Sequence, residues 1–241
     1  MVELEGSDAR ERAGGGVRRA FALVVLGLLA GCGPTVPGGV PVAEEPRHRL
    51  VSDLDFAQVL DIQILVSDTT LFHTHARPIA YTCVSGSSMA SQVAGADWGQ
   101  PGTPCVPGVP FSVPGYAESP LTHRVANDGL DLFHLIAVQS LRDVPGPTAL
   151  GAPGAGNTAV DNEWFRAQTI ELAPGQTSPT HRHEVPTLMV LTAGSGAAST
   201  LEDGRQNMLM EQGAWMWHQP GSHTLAAVEG VALRVVEVEV K

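Results

Sequence analysis

Basic residues, aromatic residues and long apolar runs are all scarce in this 241-residue chain. Lysine and arginine number 14 against 25 acidic residues, which leaves a formal net charge of −11. Phosphate backbones repel so acidic a chain, and we therefore expect no nucleic-acid partner. Charged residues make up 16 % and hydrophobic residues 43 % of the chain, a balance that is typical of a globular protein and not of a disordered one.

The longest apolar run, AFALVVLGLLA at residues 20–30, is too short to span a bilayer but has the length of a signal-peptide core. It follows two arginines and ends in LAGC, which resembles a bacterial lipobox. This pattern predicts a lipoprotein signal peptide over residues 1–31 and lipidation of Cys32. The expected location is the bacterial cell envelope, with the chain anchored in the membrane by its lipid and facing the periplasm or the cell exterior. The alternative is an ordinary secretory signal with an incidental cysteine.

Cysteine is also rare, with three residues in the whole chain. If Cys32 carries the lipid, Cys83 and Cys105 remain in an oxidising compartment, where we expect them to form a disulfide. Free thiols close to a metal are the alternative.

Amphipathic helical patterns of ten or more residues are missing as well. The chain has 27 glycines and 18 prolines, which indicate frequent turns. Short runs rich in β-branched residues, such as DIQILV, FRAQTIEL and LRVVEVEV, predict strands. The last run alternates valine with glutamate, which is typical of a strand with one face in water. The pattern therefore predicts an all-β protein.

Two stretches rich in proline and glycine divide the chain. The first predicts a tether over residues 32–49, in which His48 is expected to be solvated, and the second a linker over residues 145–160. Between and after them lie two units, residues 50–144 and 161–241. Each is small for an independent domain, so we expect them to pack together.

The two units share a histidine motif. HTHARPIAYTCVSGS begins at His73 and HRHEVPTLMVLTAGS begins at His181, an offset of 181 − 73 = 108 residues. Six matched pairs of residues keep this offset, which indicates a duplicated unit. Two histidines one residue apart on a strand point to the same face, so each motif fixes two imidazoles on one rigid element.

A third histidine precedes the last predicted strand of each unit. We therefore expect two metal sites, one formed by His73, His75 and His123 and the other by His181, His183 and His223. Because imidazole must be neutral to bind a metal, both sites should lose it as the pH falls through about 6.

The duplicated pattern resembles the two motifs of the cupin superfamily, G-x5-H-x-H-x3,4-E-x6-G and G-x5-P-x-G-x2-H-x3-N. The second unit matches the spacing of the first motif from Gly175 to Gly194, but Thr187 stands at the position of the family's glutamate. Ile79 stands there in the first unit, which keeps the His-x3-Asn of the second motif at Asn127. Without the glutamate, each site resembles those of three-histidine cupins, including thiol dioxygenases, with positions open for water or substrate.

The resemblance implies two cupin-type, jelly-roll-like β-barrels in one chain, with a divalent transition metal (Fe, Mn or Zn) in one or both. It further implies a metal-dependent enzyme that acts on a small organic molecule, of the dioxygenase, isomerase or lyase type. The alternative is a non-catalytic lipoprotein that binds a small ligand or a metal. The chain could also assemble as a homo-oligomer.

Overall fold

The computed structural model describes residues 38–147, 150–151, 154–228 and 230–241. The predicted signal peptide and the lipidation site at Cys32 lie outside these residues. In the described part, no helix is both long enough and apolar enough to cross a bilayer.

Eighteen strands make up most of the described chain, and the helical segments among them are two short 3-10 turns, Val42–Glu44 and Pro114–Tyr116. In chain order the strands are β1 Val40–Pro41, β2 His48–Leu54, β3 Ala57–Ile64, β4 His73–His75, β5 Ile79–Ser85, β6 Met89–Val93, β7 Pro110–Val113, β8 Leu121–Asn127, β9 Phe133–Ser140, β10 Asn157–Asp161, β11 Phe165–Leu172, β12 His181–His183, β13 Thr187–Ala193, β14 Ala197–Leu201, β15 Gln206–Leu209, β16 Trp215–His218, β17 Gly221–Ala227 and β18 Leu233–Val240.

The strands form two barrels, each built from a four-stranded and a five-stranded sheet. The N-terminal barrel has the orders β1-β4-β8-β6 and β2-β3-β9-β5-β7, and the C-terminal barrel has β12-β17-β14-β15 and β10-β11-β18-β13-β16. The shared order β4-β8-β6 and β12-β17-β14 shows that the two barrels repeat one topology. The predicted all-β fold of two jelly-roll-like barrels is confirmed.

The offset between the repeats changes in two connections. β6 and β14 start 197 − 89 = 108 residues apart, β7 and β16 start 215 − 110 = 105 apart, and β8 and β17 start 221 − 121 = 100 apart. The N-terminal barrel is therefore three residues longer between β6 and β7 and five residues longer between β7 and β8. Cys105 lies between β6 and β7 and is joined to Cys83 of β5 by a disulfide.

The two five-stranded sheets pack face to face, and a shared hydrophobic core lies between the barrels. Valines 236, 238 and 240 of β18 lie in this core together with Val138 of β9. The other face of β18 points into its own barrel, where Glu237 and Glu239 are 0 % and 3 % exposed. The prediction that one face of this strand meets water is therefore wrong: the valine face is covered by the other barrel and the acidic face lies inside.

The predicted tether over residues 32–49 is wrong for the part that the structure describes. β1 pairs in parallel with β4, with Val40 opposite His73, and β2 already begins at His48. Pro41 is tolerated because β1 is the edge strand of its sheet, where a missing N–H breaks no ladder. His48, which was expected in solvent, is 4 % exposed. At the other predicted boundary, β10 already begins at Asn157, inside the predicted linker.

Candidate metal sites

The C-terminal barrel brings together the three histidines predicted for it. β12 holds His181 and His183 on one face, and its antiparallel neighbour β17 places His223 directly opposite His181. All three side chains are buried, with at most 8 % of each residue exposed. The register of two adjacent strands is thus sufficient to bring the three imidazoles together.

A carboxylate completes this cluster, and it was not predicted from the sequence. Glu237 of β18 faces the three rings: its carboxylate oxygens lie 3.2 Å from His181 Nε2, 3.3 Å from His183 Nε2 and 3.1 Å from His223 Nε2. Each of the four residues offers a ligand atom within 4.8 Å of the other three. The expectation that this site has three neutral ligands and no carboxylate is wrong, because β18, in the sheet that faces the histidine strands, supplies the glutamate that Thr187 does not.

Outer partners hold each ring so that Nε2 faces the centre. His181 Nδ1 donates to the carbonyl of Pro179 at 3.1 Å, and His183 Nδ1 donates to Glu239 at 3.1 Å. His223 Nδ1 is hydrogen-bonded to the hydroxyl of Ser199 at 2.8 Å. Metal-binding histidines in proteins usually have such a partner on the second ring nitrogen, because it fixes the tautomer and the ring orientation.

The carboxylate of Glu239, which accepts from His183, has hydrogen-bond partners of its own. Arg166 of β11 pairs with Glu239 through two of its nitrogens, and its third donates to the carbonyl of Gly151 at 2.6 Å. The carboxylate that faces the histidines also has a partner, since Gln168 donates to Glu237 at 2.7 Å. Arg166 and Gln168 of β11 thus hold both buried carboxylates of the adjacent strand β18 in place.

The donor set fits a divalent transition metal. His183 Nε2 and His223 Nε2 lie 3.2 Å apart, close to the roughly 3 Å that separates two nitrogens bound to one ion at about 2.1 Å each. Two unprotonated imidazole nitrogens repel at this distance, so a proton or a cation must lie between them. Burial raises the pKa of Glu237, but hydrogen bonds from the three histidines outweigh this and hold it well below the usual value. The carboxylate is therefore ionised and suited to bind a cation.

His218 adjoins this cluster at the end of β16. Its ring lies 4.2 Å from that of His223 and 5.5 Å from that of His183, and both of its buried ring nitrogens lack a hydrogen-bond partner. His218 also lines a cavity of about 360 Å³, together with Trp217 and Arg205. The cavity therefore ends one side chain away from the histidine cluster.

The N-terminal barrel repeats the arrangement of the histidines. β4 carries His73 and His75, and β8 places His123 opposite His73. The ring of His123 lies 4.7 Å from that of His73 and 5.1 Å from that of His75. Burial lowers the pKa of His73 to about 3, of His75 to about 2 and of His123 to about 4. All three predicted ligands are therefore neutral.

A fourth imidazole joins them from outside the predicted unit. His48 lies with its ring 4.4 Å from that of His73, and it forms a group of potential ligands with His73 and His75 within 4.8 Å. The sequence offered one signal for this residue, its position just before an apolar run, but its proline-rich surroundings pointed to a tether.

Comparison with known proteins finds similarity in structure and not in sequence. No protein-family model matches the chain, and no curated protein is similar to it in sequence. AerE from Microcystis aeruginosa aligns with a TM-score of 0.55 at 9 % identity, over 80 % of this chain and 90 % of its own. Salicylate 1,2-dioxygenase from Pseudaminobacter salicylatoxidans aligns with 0.52 at 13 % identity, over 77 % and 71 %. An oxalate decarboxylase aligns with 0.53 at 11 % identity, over 78 % and 69 %.

At such low identities the likeness establishes the fold alone. The fold and the site together define an all-β protein of two barrels with a buried histidine cluster in each. Its architecture is the cupin-type double barrel that the duplicated motif predicts.

Proposed function

We propose that this chain is a metal-dependent enzyme whose active site is the C-terminal cluster of His181, His183, His223 and Glu237. The observation that carries the proposal is the convergence of three imidazole nitrogens on one fully buried carboxylate, all within 3.3 Å. A divalent transition metal bound there (Fe or Mn, with Zn as the alternative) would supply Lewis-acid chemistry and leave positions for a substrate.

The protein's own contribution is to fix the ligands before the metal arrives. The hydroxyl of Ser199 and the carboxylate of Glu239 hold His223 and His183 with Nε2 toward the centre. Arg166 balances the charge of Glu239, so that this carboxylate stays in its outer position. Such preorganisation lowers the cost of assembling the site and keeps the ligand geometry constant during turnover.

The charge of the site favours a small anionic substrate. Three neutral imidazoles and one carboxylate leave a divalent ion with a net charge of about +1, which attracts a carboxylate or a phenolate to the remaining positions. The adjacent cavity is within the size range of small-molecule sites. Its wall carries Glu202 and an ion pair of Arg205 with Asp203, so the attraction for an anion comes from the metal and not from the wall. Two of the structural neighbours are named for such substrates, salicylate and oxalate. Oxygenation, isomerisation and decarboxylation or other lyase chemistry are the reaction classes that we propose.

The location proposed for the enzyme is the bacterial cell envelope, with Cys32 lipidated. The support is the LAGC that directly follows the apolar run of residues 20–30. Labelled palmitate should enter the wild-type chain in bacterial cells and should not enter Cys32→Ser. Equal labelling of the two chains would exclude the lipid anchor.

Metal analysis of the full chain, purified without chelator, tests the enzyme proposal first. We expect a transition metal in the wild type, and we expect the double variant His181→Ala/His183→Ala to lose the part bound in the C-terminal barrel. His134→Ala is the matched control, because His134 is bonded to Asp61 and lies outside both clusters. A wild type that holds no transition metal and takes none up would exclude the enzyme proposal.

Activity is the second test. The loaded protein is assayed for oxygen uptake and for product formation with a panel of small carboxylic and phenolic acids. Turnover that disappears in His181→Ala/His183→Ala supports catalysis. Full metal occupancy without turnover of any substrate would favour the alternative, a lipoprotein that binds a metal or a small ligand without reacting.

A further inference from the structure

In the N-terminal barrel, the segment before β2 runs alongside the strand that carries the histidine pair. β1 and the 3-10 turn Val42–Glu44 run along β4, and the backbone N–H of Val40 donates to the carbonyl of Phe72 at 3.0 Å. Val42 of this segment is buried in the core of the N-terminal barrel. The segment ends at His48, so its path alongside the histidine strand brings a further imidazole to the cluster.

Glu45 fixes the orientation of that imidazole. His48 Nδ1 donates to the carboxylate of Glu45 at 2.7 Å, so Nε2 is the ring nitrogen that could bind a metal. The carboxylate is held in turn by the backbone N–H groups of Arg47 at 2.7 Å and Leu71 at 3.1 Å. Its side chain is fully buried. A buried carboxylate that accepts from the outer nitrogen of a histidine is the usual support of a metal ligand.

Two further rings of the cluster are oriented by a partner on Nδ1, whereas the buried Nδ1 of His75 has no hydrogen-bond partner. His73 Nδ1 donates to the carbonyl of Leu71 at 3.0 Å, and His123 Nδ1 is hydrogen-bonded to Ser91 at 3.1 Å. His123 Nε2 is buried and has no hydrogen-bond partner. A buried imidazole nitrogen without a partner is costly, and a bound cation would satisfy it.

We propose that the N-terminal barrel holds a closed metal site of four histidines. His48, His73 and His75 already offer ligand atoms within 4.8 Å of one another, His123 is outside that group and completes the shell by turning its ring toward the metal, and Glu45 supports His48. Four imidazoles fill the tetrahedral shell that Zn²⁺ adopts in structural sites, and they leave no position for a substrate. The set contains no carboxylate, so it suits a borderline ion such as Zn²⁺ better than Mn²⁺. The role of this ion is to tie the segment Val40–His48 to the barrel, and the site does not depend on catalysis in the other barrel.

The test uses the full chain with His181→Ala/His183→Ala, so that metal bound by the N-terminal barrel is measured alone. Zn²⁺ affinity is determined by competition with a chelator, and thermal unfolding is followed with and without Zn²⁺. We expect His48→Ala to weaken Zn²⁺ binding by more than about 100-fold and Glu45→Gln by about 10-fold, since loss of an outer partner alone costs 10- to 100-fold. His134→Ala should leave the Zn²⁺ affinity unchanged.

Cobalt(II) in place of zinc reports whether the shell is closed. Added azide should leave the visible spectrum of the four-histidine site unchanged and should alter that of His48→Ala, in which one position is open. An equal azide response in both chains, or a His48→Ala variant that binds Zn²⁺ as tightly as its parent, would overturn the proposal. Neither result would affect the C-terminal site, whose metal content and turnover are measured in a chain that retains His181 and His183.

Discussion

The same positions of the two barrels carry different chemistry. The strand registers place Glu237 of β18 where β9 has Ala137, and Glu239 where β9 has Gln139. The partner of Glu239 across the sheet is Arg166, and its counterpart Gln58 is bonded to Gln139. One barrel therefore contains a metal-facing carboxylate and an outer ion pair, whereas the other contains a methyl group and a pair of neutral amides.

The scaffold around the histidines has changed much less. The carbonyls of Leu71 and Pro179 accept from the first histidine of each motif, and both stand two residues before it. Ser91 and Ser199, 108 residues apart, each bond the third histidine. The shared strand register keeps three imidazoles at the same positions in both barrels. The net charge of each site then depends on the fourth side chain that faces them. The C-terminal barrel adds a glutamate, and the N-terminal barrel adds His48.

The largest effect on metal binding is expected from removing Glu237, the carboxylate that is present in the C-terminal site and missing from the N-terminal site. Glu237→Gln should weaken metal binding in the C-terminal barrel by more than the roughly 100-fold that loss of an outer partner costs, because a direct ligand is lost. The N-terminal site should keep its metal. Metal analysis of this variant and of Glu171→Gln, an exposed glutamate on β11, checks the expectation. Full occupancy of both barrels in Glu237→Gln would show that the carboxylate is not a ligand.

The disulfide distinguishes the barrels in stability. It joins residues 22 positions apart in the N-terminal barrel, and the C-terminal barrel has no cysteine. Replacing Cys83 and Cys105 together by serine should lower the free energy of unfolding by about 3 kcal/mol. Denaturant unfolding of the wild type under oxidising and reducing conditions, compared with the double variant, measures this difference. An oxidised wild type no more stable than the variant would contradict it.

The pH dependence of metal binding should also differ between the sites. Burial lowers the pKa of His183, but the hydrogen bonds that it donates to the carboxylates of Glu237 and Glu239 outweigh this and raise the pKa to about 9. A metal must therefore displace a proton at neutral pH, and C-terminal affinity should rise about tenfold per pH unit from pH 6 to 8.

His73, His75 and His123 in the N-terminal barrel have no such proton to displace. The highest of their lowered pKa values is about 4, at His123, so their binding of a metal should not change with pH over the same range. The sequence predicts that both sites lose metal as the pH falls through about 6, whereas these pKa values predict a different pH dependence for each site. Calorimetric titration in two buffers of different ionisation enthalpy counts the protons released by chains that retain one site each. Equal proton release at both sites would remove the distinction.

The smallest difference is expected from the two equivalent serines. Ser199→Ala should weaken C-terminal metal binding by about 10-fold, because a buried ring nitrogen of His223 loses its partner. Ser91→Ala should weaken N-terminal binding less, since its hydrogen bond is exposed and water can replace the hydroxyl. Chelator competition with both variants measures the ratio. A larger loss in Ser91→Ala would reverse the ranking.

The sequence predicted the fold and six histidines because their information is local. An H-x-H pair on a strand, repeated at a constant offset, specifies both the barrel and the face on which the rings lie. Glu237 escaped prediction because a glutamate between valines is typical of a strand in water. The valine face of β18 packs against the other barrel, so the glutamate face is buried in its own barrel opposite the histidine strands, and no local pattern contains these long-range contacts. His48 escaped prediction because a proline-rich segment has the same composition whether it forms an edge strand or a tether.

The valine face of β18 bears on how such a chain can arise. A single barrel with this face uncovered would present a flat apolar surface large enough to require a partner. Two copies of one ancestral barrel would cover each other's apolar surface if they packed back to back as a symmetric dimer. Gene fusion then turns that dimer into one chain. Once the halves are joined in one chain, each can change independently, and one can gain a carboxylate while the other gains a histidine.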